Sequence, residues 1–152
     1  MNAFEVARRS VDEYSETVES WQPDHDLAMA CLAFEELLRA GIDSLSKIRS
    51  SHGEWQHAVM TCTAPPNLSV DQGIWDMYAW WNRPCRRVSR ELRFFEKQGF
   101  EVKHADEFRA AWSELRSELR GLSRPVSPLR PVTRETVHPV ASTIVDMSRY
   151  DD

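Results

Sequence analysis

Apolar residues recur at steps of three and four through the first 122 positions. Phe4, Ala7, Val11, Tyr14, Val18 and Trp21 form one stripe. Leu27, Cys31, Phe34, Leu38, Leu45 and Ile48 form a second, with Gly41 and Ile42 filling its gap. A third runs through Ile74, Met77, Trp81, Cys85, Val88, Leu92 and Phe95, and a fourth through Ala105, Phe108, Trp112, Leu115, Leu119 and Leu122. One apolar stripe per segment is the mark of an amphipathic helix. Four such segments, of lengths that suit an antiparallel bundle, predict an all-α fold, a four-helix-type bundle over residues 1–122.

Polar and conformationally special residues punctuate the stripes. Pro23 separates the first two, with Asp24 or Asp26 placed to cap the second helix. Ser51–Glu54 and Ser69–Gln72 have the spacing of capping boxes, Pro65–Pro66–Asn67 reads as loop, and Gly99 and Gly121 stand where C-terminal caps belong. Trp55, Val59 and Cys62 continue the second stripe, yet Ser50–Gly53 is the expected end of that helix. Pro84 predicts a kink or a fresh start inside the third segment.

From Ser123 the pattern changes. Pro125, Pro128 and Pro131 repeat every third residue, the period of polyproline II. Residues 123–152 therefore read as an extended Pro-rich C-terminal arm. Pro125, Pro128 and Arg130 have the P-x-x-P-x-basic form that aromatic grooves take. Val140, Ile144 and Met147 would form a short apolar face beyond them. These six residues are the arm's expected docking points, against its own bundle or a second subunit.

Composition narrows the picture. Hydrophobic residues make up 41% and charged residues 28%, ordinary for a globular chain. No apolar run reaches the roughly 20 residues a membrane span needs, and the first residues carry charges where a signal peptide is apolar. No membrane association and a cytoplasmic location are expected. Cys31, Cys62 and Cys85 are far apart and make no C-x-x-C pair, so no disulfide framework or zinc site is implied. Cys31 and Cys85 fall on apolar stripes and read as buried thiols, whereas Cys62 sits near an expected loop and is the one placed to react.

Charge adds the most. Residues 1–80 carry a formal balance of −8 and residues 81–152 one of +3. Arg83, Arg86, Arg90, Arg93 and Lys97 step by three and four, with Arg87 alongside and Phe94 within the same face. At about 100° per residue this is a single basic stripe, almost opposite the apolar one. Guanidinium groups bind carboxylate or phosphate through two parallel hydrogen bonds, so the stripe is a candidate anion or partner site. The plainer alternative is a solvated face, or one covered by Asp12, Glu16 and Glu19 of the first helix.

Candidate catalytic chemistry is sparse. Glu54–His57 and Glu101–His104 have the Glu-x-x-His spacing of di-metal helical bundles. No Glu interrupts the apolar stripes to complete such a site, however, so neither metal nor cofactor is expected. There is no Gly-rich phosphate loop and no nucleophile motif. The expected function is non-enzymatic: an interaction or regulatory protein that docks a protein partner, or a second copy, through the stripe and the arm. A nucleic-acid or phosphate-ligand binder using the same arginines is the second expectation, and a metal-dependent helical enzyme a distant third.

Overall fold

Short polar side chains start the helices. In the computed structural model, which describes residues 2–121, the Asn2 side chain accepts from the Glu5 amide at 2.8 Å and opens α1 (Ala3–Glu19). Asp26 accepts from the Ala28 amide at 3.0 Å and opens α2 (Leu27–Met60). Asn67 accepts from the Ser69 amide at 2.9 Å and opens α3 (Leu68–Asn82), so the cap lies two residues before the expected Ser69. These oxygens satisfy amides that a helix start leaves without partners. α4 (Cys85–Lys97) and α5 (Ala105–Gly121) complete an all-α chain with no strand among the described residues. The Pro-rich arm lies outside them.

The third expected segment is two helices. Pro84 has no amide to donate to the Trp80 carbonyl, and the α3 ladder stops there. Arg83 and Pro84 both keep right-handed helical backbone, and the chain restarts at Cys85. The Cys85 thiol donates to the Trp81 carbonyl at 3.3 Å, using an acceptor that the break releases.

The second helix, in contrast, does not end at Ser50–Gly53. Its 34 residues continue to Met60, about 51 Å at 1.5 Å per residue. Ser51 is buried mid-helix and caps nothing, while His52 and Trp55 hold α3. Packing on both sides of Gly53 outweighs the roughly 1 kcal/mol that a helical glycine costs relative to alanine. A Cβ at Gly53 would meet no atom within 4 Å. Gly53→Ala should therefore raise stability by about 0.5–1 kcal/mol in urea unfolding; a loss would mean that α2 needs a hinge there.

α4 ends in a complete Schellman motif. Gly99 takes a left-handed φ of +91°, its amide donates to Glu96 O at 3.0 Å, and Phe100 N donates to Phe95 O at 3.1 Å. The apolar contact that accompanies the motif is the Phe95–Phe100 ring pair, with centroids 6.1 Å apart.

The core is one cluster drawn from every helix. α1, α2 and α3 pack against one another, and α5 packs on α2 and α3. α4 closes the side of this group: its Cys85, Val88, Leu92 and Phe95 are buried, and Phe95 meets Phe34 of α2 at 5.2 Å between centroids. Glu35 is a buried carboxylate of α2 and accepts from the Lys103 amide at 2.7 Å, tying the α4–α5 connection to α2. No described helix is long and apolar enough to cross a membrane.

Candidate anion-binding surface

α4 divides its side chains sharply because its buried residues step by three and four, and arginine or lysine fills five of the other nine positions. Arg83, just before it, and Arg86, Arg90, Arg93 and Lys97 are exposed. None of them forms an ion pair among the described residues. Asp12, Glu16 and Glu19 of α1 do not reach them, so the acidic cover offered by the sequence is not found there. Arg83 instead stacks over the Trp80 ring, 4.9 Å from its centroid. Phe94 is exposed but edges onto buried Phe95, with centroids 5.5 Å apart.

Arg87 differs from its neighbours. Nη1 donates to Val18 O at 2.7 Å and to Glu19 O at 3.1 Å, and Nη2 donates to Trp21 O at 2.6 Å. The last turn of α1 holds no basic residue, and a guanidinium from α4 satisfies its carbonyls instead. Arg87 thus belongs to the fold rather than to an exposed binding face.

The sequence reading missed the partner of the α4 stripe. α5 presents Arg109, Arg116 and Arg120 on one face, beside Arg93 and Ser89 of α4. Together with Trp112 and Ser113 they line a cleft of about 360 Å³ with no carboxylate in its wall. Arg109 is tied across the two helices to Glu96, which holds that carboxyl below its ordinary range. Arg116 lies over the Trp112 ring, 5.1 Å from its centroid, and the Trp112 indole donates to Asn82 Oδ1 at 2.8 Å. Arg116 and Arg120 have other contacts as well.

Other chemistry-bearing groups do not assemble into a site. Glu54 and His57 are exposed on α2. Glu101 is exposed, and His104 sits at a left-handed φ of +68° just before α5. No group of metal-ligating side chains occurs among the described residues. His52 Nδ1 lies 3.0 Å from the Tyr78 hydroxyl, beside an Arg49–Glu118 ion pair of 2.8 Å. Burial lowers the His52 pKa and pushes Tyr78 up to about 12, so both stay neutral near pH 7 and serve as a polar seam between helices. Cys31 and Cys85 are buried, with both thiols pushed upward mainly by burial, and Cys62 is exposed at the end of α2. Pro125, Pro128, Arg130, Val140, Ile144 and Met147 lie outside the described residues.

Comparison with known proteins adds no assignment. No family model, curated protein or solved structure matches the chain. Any reading of its function rests on the side chains themselves.

Proposed function

We propose that this chain is a non-enzymatic interaction protein that docks an acidic protein partner through the basic surface of α4 and α5. The scaffold is read as a four-helix-type bundle of α1, α2, α3 and α5, with α4 laid against its side as the recognition helix. The observation that carries this is the row Arg83, Arg86, Arg90, Arg93 and Lys97, exposed and without ion pairs among the described residues. A cationic row with no internal carboxylate partners favours an anionic surface brought by another molecule. The arm of residues 123–152, read as a second docking element, and a cytoplasmic setting belong to the same reading. Free cysteines suit a reducing compartment.

Nucleic acid is the second reading, favoured by the exposed rings of Trp80 and Phe94 next to the arginines. The formal charge of −5 weighs against it, because the acidic half of the chain repels a polyanion at long range. Fluorescence anisotropy separates the two. A labelled poly-glutamate peptide and a single-stranded oligonucleotide are titrated with the protein at low and rising salt. Peptide binding is expected to weaken with salt, and to fall at least roughly tenfold in R86E/R90E while stability is unchanged. Tighter oligonucleotide binding with a steep salt slope would put the second reading first. No binding of either probe at low salt would end both.

A further inference from the structure

The cleft between α4 and α5 differs from the rest of the basic surface. Along α4 the cations other than Arg87 are spread over one exposed helix face. At the cleft, arginines from two helices line one concavity, and no carboxylate lines it among the described residues. Its volume of about 360 Å³ falls at the low end of the range for ligand pockets. It is large enough for a charged group and the side chain that carries it.

We infer that this cleft takes one phosphoryl group, and that the docked partner is a phosphorylated protein segment. The inference rests on the proposed docking role of the α4–α5 surface.

Charge and donor number separate phosphate from carboxylate. A carboxylate has a single negative charge and two oxygens, which one guanidinium fork satisfies. A phosphoryl group brings a charge of about −1.5 to −2 and three strong acceptor oxygens. Arg93 supplies a guanidinium with no ion-pair partner among the described residues. Arg109 is the second, tied by Glu96; the tie fixes its position, and the carboxylate offsets part of its charge. Arg116 lies over the Trp112 ring, so less side-chain freedom is lost when it binds. The Ser89 and Ser113 hydroxyls in the same wall add uncharged donors for a remaining oxygen. Trp112 gives the carrying side chain an apolar wall.

A protein segment suits the site better than nucleic acid. Nucleic acid presents a line of phosphates with bases between them, and its non-specific binders offer bare aromatic platforms. Here the Trp80 and Trp112 rings are each already stacked by an arginine of the chain itself. The convergent group is also a single concavity rather than a track.

The test uses the full chain. Three immobilised peptide libraries with degenerate flanks carry a fixed central phosphoserine, serine or glutamate, and a single-stranded oligonucleotide is run in parallel. The phosphoserine library is expected to retain the protein at least roughly tenfold better than either twin, since a phosphoryl group adds charge and a third acceptor oxygen over glutamate and its whole charge over serine. Arg93→Ala should remove about tenfold of that retention, Arg86→Ala on the open face less than about twofold, and millimolar inorganic phosphate should compete. Equal retention on all three libraries would overturn the inference. So would loss of oligonucleotide binding in Arg93→Ala with no phosphoserine preference, which would give the cleft to nucleic acid. If the libraries behave alike while poly-glutamate binding still depends on Arg86 and Arg90, the docking surface stands and only the phosphoryl pocket fails. Without poly-glutamate binding, both fall.

Discussion

Trp81→Ala is expected to lower the free energy of unfolding by about 3–5 kcal/mol, the range for removing a buried tryptophan. Globular chains hold only about 5–15 kcal/mol in total, so the variant should lose a large share of its stability. The size follows from position. Trp81 is fully buried, with its ring near-parallel to Tyr14 of α1 at 6.1 Å and tilted against Phe108 of α5 at 6.2 Å. Its indole N–H donates to the Gly41 carbonyl of α2 at 2.8 Å. One α3 side chain thus touches three other helices. Gly41 makes the arrangement possible, because a Cβ there would lie 2.7 Å from ring atoms of Tyr14. Trp81→Phe keeps most of the ring and loses the indole donor, so it should lose about 1–2 kcal/mol. Urea unfolding followed by circular dichroism measures both variants. A loss under about 1 kcal/mol in Trp81→Ala would mean that the core does not centre on this residue.

The helical stripes were legible because a buried face must repeat near 3.6 residues, and Ile74, Met77 and Trp81 obey that rule whatever surrounds them. Asp26 and Gly99 were legible because their chemistry is local: a carboxylate reaching two amides, and a glycine at a left-handed φ. The break at Pro84 was readable only as a choice between a kink and a restart. The periodicity runs through it undisturbed, and the missing amide alone decides. Gly53 was misread for the opposite reason. Local propensity favours an end there, but the contacts of His52 and Trp55 with α3 are made far along the chain.

The basic cleft was the larger omission. α5 reads as slightly acidic, because Asp106, Glu107, Glu114 and Glu118 outnumber its three arginines along the sequence. At about 100° per residue, Arg109, Arg116 and Arg120 fall within roughly 40° of one another; Glu107, Glu114 and Glu118 lie on the far side, and Asp106 flanks the basic face beside Arg109. Segregation around the helix was the available signal, and counting charge per segment hides it. That α5 sits next to α4 could not be read at all, since adjacency of two amphipathic helices depends on the packing of the whole core.

Arg87→Ala should lose about 2–3 kcal/mol of stability while leaving anion binding within about twofold of the parent. Arg86→Ala and Arg90→Ala, one position before it and three after, should stay within about 0.5 kcal/mol, as for other exposed substitutions. Sequence spacing makes these arginines equivalent, and hydrogen bonding separates them. The Arg87 guanidinium donates to three carbonyls, those of Val18 and Glu19 in the last turn of α1 and that of Trp21 just beyond it. Hydrogen bonds to a charged group contribute about 1.5–3 kcal/mol, and three from one side chain do not add in full. The cation also faces the negative end of the α1 dipole. Its loss would leave Val18 O, on a buried residue, short of a strong donor and loosen α1 from α4. Amide hydrogen exchange should therefore quicken in the last turn of α1 before it does elsewhere. Arg87→Lys should recover only part of the loss, because an ammonium cannot reproduce a planar fork spread over three acceptors. A stable Arg87→Ala variant that loses phosphoserine binding as severely as Arg93→Ala would place Arg87 on the ligand instead. In that case α1 must be held by its apolar contacts alone, through Val11, Tyr14 and Val18.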